Sequence, residues 1–138
     1  MTAATRSMSY DHPAYTAVQG QGTGAITGSA GKSNKYAAFT ARLLKSVVLH
    51  VEAAGTSADV LSLISISGTT TTTTAVLTAG SGSPATGAVS SYAFSTAAGG
   101  GLLLNQGDEY YLVKGTDATL AYAGEFEIVN QPLAPVTA

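Results

Sequence analysis

The sequence predicts an all-β protein, a single antiparallel β-sandwich of about seven or eight strands that is jelly-roll-like and carries an extended N-terminal arm. Two observations support this fold class. Short apolar segments alternate with Gly, Ser and Pro turns at intervals of about 8 to 12 residues, and no segment has a convincing amphipathic helical period. The 138 residues fit one domain with one modest core.

The first 34 residues predict an extended arm, because their apolar residues are scattered singly among Gly, Ser, Thr and Gln without a period of 2 or 3.6. We expect the sandwich domain to span residues 35–131 and a short tail to span residues 132–138. Because the arm offers few large apolar groups to a core, we expect it to pack on a partner surface. Folding back onto its own domain is the open alternative.

The predicted strands lie within the domain and differ in character. Residues 45–53 alternate between apolar and polar positions, residues 59–67 are rich in branched aliphatic side chains, and residues 69–78 begin with six consecutive threonines. Gly124 separates the last two predicted strands, residues 118–123 and 125–129. Residues 37–44 are the only candidate helix. In chain order the predicted strands are residues 45–53, 59–67, 69–78, 88–96, 102–104, 109–114, 118–123 and 125–129.

The period of two along these strands predicts which side chains form the core. Residues spaced by two in a strand share one face, so each strand contributes one alternating set. The predicted core residues are Val47, Leu49, Val51, Leu61, Leu63, Tyr111, Val113, Phe126 and Ile128.

Composition excludes several classes of function. Only 10% of residues are charged, while Gly, Ser and Thr number 49, so the surface is rich in hydroxyl groups. A net charge of −2 and a pI near 5.5 argue against a nucleic-acid partner. The chain has no cysteine and therefore no disulfide or thiol nucleophile. No segment reaches the ~20 apolar residues that a membrane span requires, and no signal peptide is supported.

No motif supports an enzyme, a cofactor site or a metal site. The sequence Gly31-Lys32-Ser33 resembles the end of a phosphate-binding loop, but the first glycine of that motif is replaced by Ile26. His12 and His50 are the only histidines and have no ligand-like spacing. No G-x-S-x-G elbow is present. We therefore expect no catalytic residues, no cofactor and no metal.

Charge is distributed unevenly along the chain. Residues 1–50 carry five basic residues and one acid, whereas residues 108–138 carry five acids and one base. The two ends can therefore attract each other between copies, although a scattered set of solvated charges is the alternative. The candidate partner-binding residues are Lys32, Lys35, Arg42, Lys45, Asp117, Glu125 and Glu127.

Three segments carry a resemblance to a known family. They are the arm TAVQGQGTGAITGSAGKSNKY, the strand region SVVLHVEAAGTSADVLSLISISG followed by TTTTTTAVLTAGSGSP, and the end LNQGDEYYLVKGTDATLAYAGEFEIV. In these three segments the chain resembles the small decoration, or cement, proteins of tailed-bacteriophage capsids. The resemblance implies a β-sandwich or related fold that binds the major capsid protein as a homo-dimer or homo-trimer and stabilises the shell.

The same resemblance implies a location on the capsid surface of the virion, after synthesis in the host cytoplasm. The expected partners are therefore the major capsid protein and further copies of this chain, with no nucleic acid and no membrane. A surface carbohydrate-binding or adhesive β-sandwich is the alternative function. Sugar-binding platforms usually need exposed aromatic side chains, and this chain has seven Tyr, three Phe and no Trp.

Overall fold

The computed structural model describes residues 18–80, 84–94 and 101–130, which form two antiparallel β-sheets packed face to face. The predicted all-β sandwich is confirmed, with nine strands in the described residues instead of seven or eight. The strands are β1 (Val18–Gly22), β2 (Tyr36–Ala37), β3 (Arg42–Ala53), β4 (Asp59–Ser67), β5 (Thr70–Ala79), β6 (Val89–Ala93), β7 (Leu102–Leu104), β8 (Glu109–Val113) and β9 (Ala121–Asn130).

The strands divide into two sheets, called sheet A and sheet B below. Sheet A has the order β1-β9-β3-β6, and β7 also pairs with β3; sheet B has the order β2-β8-β4-β5. The inward side chains of both sheets form one core, as alternation in half-buried strands requires. Its largest fully buried side chains are Tyr110, Tyr122, Phe126, Ile26, Leu44, Leu49, Leu61, Leu63, Leu112, Leu120, Val47 and Val51.

The last two predicted strands are a single strand, so the expected break at Gly124 is wrong. β9 runs from Ala121 to Asn130 and pairs with β3 along nearly its whole length. A Cβ atom at residue 124 would lie 2.0 Å from the carbonyl oxygen of Val48. The glycine therefore allows two backbones to approach closely within a continuous sheet and does not form a turn.

The candidate helix at residues 37–44 is also wrong, because this stretch joins two strands. Tyr36 and Ala37 pair with β8, and from Arg42 onward the chain pairs with β7 and β9. Pairing with neighbours distant in sequence outweighs the weak local helical preference of this Ala- and Leu-containing stretch.

The predicted core is confirmed in β3, β4 and β9 but has the wrong face in β8. Tyr110 and Leu112 are fully buried, whereas Tyr111 and Val113 lie on the opposite face and are partly exposed. The buried face continues to Lys114, whose Nζ donates to the carbonyl oxygen of Gly28 at 2.6 Å. Because a buried ammonium can be satisfied in this way, a lysine does not mark the solvent face of this strand.

Part of the predicted arm packs on the sandwich. β1 pairs with the outer edge of β9, and Ile26, which is fully buried, exchanges backbone hydrogen bonds with Tyr122 at 2.8 and 3.0 Å. Residues 1–17 of the arm and the tail at 132–138 lie outside the described residues. The division of the chain into arm, domain and tail therefore stays a prediction, although residues 18–34 contribute a side chain to the core.

Candidate partner-binding surfaces

Lys32 and Lys35 lie together on the outer face of sheet B. Their Nζ atoms are 5.7 and 5.8 Å from the centre of the Tyr111 ring, within the range of a cation–π contact. Lys35 also lies 3.1 Å from Glu109 Oε1. The cluster is exposed and contains both signs of charge, so its net attraction for an acidic partner is reduced by its own carboxylate.

Arg42 does not belong to this exposed cluster. Its side chain is buried, and Nη1 donates to the hydroxyl oxygen of Tyr110 at 3.1 Å. The Tyr110 hydroxyl in turn donates to the side-chain oxygen of Gln21 in β1. Burial raises the pKa of Tyr110, and the guanidinium lowers it in part. Arg42 therefore links strands of both sheets inside the sandwich.

Asp117 is buried as well and organises two loops. Its carboxylate accepts backbone N–H bonds from Thr56 at 2.7 Å, Ser57 at 2.8 Å and Thr119 at 2.9 Å, and the Thr119 hydroxyl donates at 2.7 Å. These bonds, with that from Ser57 the largest cause, hold the pKa of Asp117 far below its ordinary value. The Asp117 side chain connects the loop after β3 to the loop before β9, and these hydrogen bonds explain why a carboxylate is buried there.

Glu125 and Glu127 project from β9 on the outer face of sheet A, opposite to the face that carries Lys32 and Lys35. Glu127 accepts a hydrogen bond from the Ser46 hydroxyl, while Glu125 is exposed and lies over β1. Both carboxylates line an open groove of about 540 Å³, whose other lining residues are Val48, Leu49, His50, Val89, Ala123 and Gly124.

Lys45, the remaining basic candidate, is partly buried in β3 at a register shift between Leu44 and Ser46. The seven candidates therefore do not form one surface. Two are buried, two lie on sheet B, and two acidic residues lie on the far side of the sandwich. Contacts of Lys32 or Lys35 with Glu125 or Glu127 would have to form between copies.

A row of apolar side chains crosses sheet A and was not among the candidates. Val18 pairs with Val129, Val129 with Leu43, and Leu43 with Leu103, so the four residues are in register across four strands. Val18 is 56% exposed and Leu103 is 51% exposed, and their row lies on the outer face. Phe39, in the loop between β2 and β3, is 80% exposed. We call Val18, Val129, Leu43 and Leu103 the apolar row.

The sequence contains only a weak signal for the apolar row. Leu103 is the middle of three consecutive leucines, and an alternating strand turns one of three consecutive residues away from the other two. Val18 lies in a stretch without any period, so its pairing partner could not be identified. The row exists because β9 brings residues from both ends of the chain into one sheet.

The described residues contain neither a group of three metal-ligand side chains nor a long apolar helix. Residues 18–80, 84–94 and 101–130 contain no group of three His, Asp or Glu side chains placed to hold a metal ion. In that same part of the chain there is no helix of the length and apolar character needed to cross a membrane. No protein-family model matches the chain, and no curated protein matches its sequence.

Proposed function

We propose that this chain is a non-enzymatic structural protein of a bacteriophage virion. It binds the outside of the capsid as a homo-oligomer and stabilises contacts between subunits of the major capsid protein. The observation that carries the proposal is the apolar row on sheet A, together with the exposed ring of Phe39. Exposed apolar side chains that lie in a row are typical of a surface to which a protein partner binds, and this supports the proposal.

The row supplies one apolar strip within a larger contact surface. Neighbouring strands are about 4.8 Å apart, so four side chains across three strand gaps extend for about 14 Å. Covering apolar surface contributes about 25 cal/mol per Å² removed from water. The side chains stand on paired strands of a rigid sheet, so little conformational entropy is lost when a partner covers them.

Many copies on one shell multiply a modest contact. A protein that binds the assembled shell and not the separated subunits shifts the equilibrium towards assembly. When each bound copy contacts more than one capsid subunit, the second contact forms at high effective concentration. Stabilisation of the shell therefore does not require a very large interface for each copy.

The decisive experiment compares two charge substitutions at exposed apolar positions. Leu103→Asp places a carboxylate in the apolar row, whereas Val60→Asp places one on the outer face of sheet B, where Val60 is 41% exposed. Binding to capsids purified without this chain is measured by co-sedimentation. We expect Leu103→Asp to weaken binding at least tenfold and Val60→Asp to leave it within about twofold, since one unpaired charge in an apolar contact costs more than 1.4 kcal/mol.

Two results would overturn the proposal. One is the absence of the chain from purified virions by mass spectrometry. The other is equal binding of wild-type protein and Leu103→Asp, with Phe39→Ala also unchanged. Because every substituted side chain is exposed, we expect the sandwich to stay intact in each variant. Circular dichroism checks this.

A surface carbohydrate-binding module is the second candidate, and one observation favours it. The ring of Tyr111 lies on the outer face of sheet B, where a sugar ring could stack on it. The ammonium groups of Lys32 and Lys35 lie over the same ring and take up part of the space that a stacked sugar would need. Glycan-array binding that is lost in Tyr111→Ala, with no capsid binding by the wild type, would establish this function instead.

A further inference from the structure

β5 forms a free edge of sheet B. Over the described residues it pairs with β4 alone and ends the strand order β2-β8-β4-β5. In an antiparallel strand alternate residues direct both backbone groups to one side, so about half of the backbone groups in β5 point away from β4. The ten residues of β5 include no charge, no proline and no glycine. Natural edges of this length are usually protected by charge, proline or a bulge, and the irregularity in β5 lies at Val76, beyond residues 70–74.

The sequence run that contains β5 lacks charged residues. No Asp, Glu, Lys, Arg or His occurs from Val60 to Gly107, a run of 48 residues that contains nearly all of β4 and all of β5, β6 and β7. β5 and β6 approach each other across the two sheets, so this run covers one side of the sandwich. Asp108 lines a groove with Thr70 and Thr72 but is buried, so repulsion between like charges is weak when two copies meet on this side.

The accessible part of the edge is its threonine half. A register shift between Leu61 and Ser62 leaves Val76 outside the regular pairing, and its side chain is buried. Before that irregularity, residues 70–74 pair regularly with β4 and are mostly exposed. These five residues are all threonine, whose branched Cβ favours the extended backbone.

We infer that the free edge of β5 binds the β5 edge of a second copy of this chain, in antiparallel orientation about a two-fold axis near Thr72. The two sheets B then form one continuous sheet of eight strands. Pairing about Thr72 places Thr70 opposite Thr74 and Thr71 opposite Thr73, and Thr–Thr pairs across strands are favourable. This inference deepens the self-association part of the proposed function and rests on that part alone, not on capsid binding.

The opposite edge of sheet B is a poor site for pairing with a further copy. β2 has only two residues, and Lys32, Lys35 and Glu109 lie beside it. A short edge with charged neighbours is a poor template for another strand. Because a two-fold contact uses the same patch on both copies, the dimer closes and leaves no second β5 edge free.

The test places opposite charges on the proposed axis. Thr72→Lys sets two ammonium groups across the two-fold, and Thr72→Glu sets two carboxylates there. Molar mass is measured by analytical ultracentrifugation at tens of micromolar without capsids. We expect wild-type protein at twice the 13.7 kDa chain mass, each variant alone at 13.7 kDa, and an equal mixture of the two variants restored to the dimer mass.

Thr27→Lys is the matched control, because it is the same substitution at an exposed residue between two bridges, Ile26–Tyr122 and Lys32–Val113, that contact β9 and β8 and not β5. It should remain a dimer. Hydrogen exchange of wild-type protein gives a measurement that needs no variant: those amides of residues 70–74 that point away from β4 should become protected as concentration rises.

The inference fails if the wild type is a monomer at these concentrations, if it is a trimer, or if Thr72→Lys keeps the dimer mass. It also fails if residues 70–74 exchange at a rate independent of concentration. A dimer confirmed in this way together with no capsid binding would refute the capsid role and leave the β5 contact in place. Loss of capsid binding in Leu103→Asp together with a monomeric wild type would refute the β5 contact and support the capsid role.

Discussion

Replacing Ile26 by alanine tests whether residues 18–34 contribute to folding as well as to surface contacts. Ile26 is fully buried and forms two backbone hydrogen bonds with Tyr122 of β9. The substitution leaves the backbone bonds in place and removes only side-chain atoms from the core. The measured loss therefore reports the packing of this segment.

The expected magnitude follows from the atoms removed. Ile26→Ala deletes three buried carbon atoms, worth about 0.8 kcal/mol each, or about 2.4 kcal/mol in transfer free energy. A cavity term adds to this because the paired backbone around residue 26 limits collapse. We expect a total loss of about 3 to 4 kcal/mol in the free energy of unfolding, within the range for buried Ile→Ala substitutions.

Urea denaturation followed by circular dichroism measures this loss, with the slope m compared to show that the same surface unfolds. Val18→Ala is the control in the same segment, because Val18 is 56% exposed, and it should cost under about 0.5 kcal/mol. A loss under about 1 kcal/mol for Ile26→Ala would refute the reasoning and show that the segment is not part of the core.

Three further predictions concern charge and polar groups. Asp117→Asn should lower the free energy of unfolding at neutral pH. The pKa of Asp117 in the folded state lies below the ordinary 3.8, so protonation removes this stabilisation in acid. The difference in urea midpoint between the variant and the wild type should therefore shrink as pH falls from about 5 to about 2. Tyr122→Phe should leave the melting temperature unchanged or raise it, since the buried hydroxyl has no hydrogen-bond partner within the described residues. Lys32→Ala with Lys35→Ala should slow association with capsids more than it lowers final occupancy, and wild-type occupancy should change little up to 1 M salt, where the Debye length is ~3 Å.

Each of these has a contrary result. A difference between Asp117→Asn and wild type that is constant from neutral to acid pH would show that the carboxylate charge is not what stabilises the loops. A loss of more than about 1 kcal/mol in Tyr122→Phe would show that the hydroxyl makes a favourable contact. Release of bound protein by moderate salt would show that Lys32 and Lys35, or other charges, dominate the interface.

The fold class and most strands could be predicted from the sequence because the signals are local. Period 2 in β3 and branched aliphatic residues in β4 determine both the strands and their buried faces. The buried face of β8 could not be determined in this way. Four consecutive apolar or aromatic residues, from Tyr110 to Val113, fit either face equally well, and the choice depends on pairing with β4.

The candidate site was less predictable, since it depends on contacts between distant parts of the chain. Arg42 and Asp117 are charged residues of the kind usually found on a surface, yet both are buried. Arg42 Nη1 donates to Tyr110 in the other sheet, and the Asp117 carboxylate accepts from backbone N–H groups of two loops. The apolar row likewise requires the register of four strands. Neither the burial of a charge nor the exposure of an aliphatic residue has a local sequence signature.

The position of β9 between β1 and β3 has a consequence for synthesis on the ribosome. β4 and β5 are joined by a tight turn at Gly68, where φ is +62°, so this hairpin can form early. β1 and β3 cannot pair with β9 until residues 121–130 have been translated. Folding of sheet A is therefore completed only after translation of β9, whose pairing with β1 closes a loop of roughly a hundred residues.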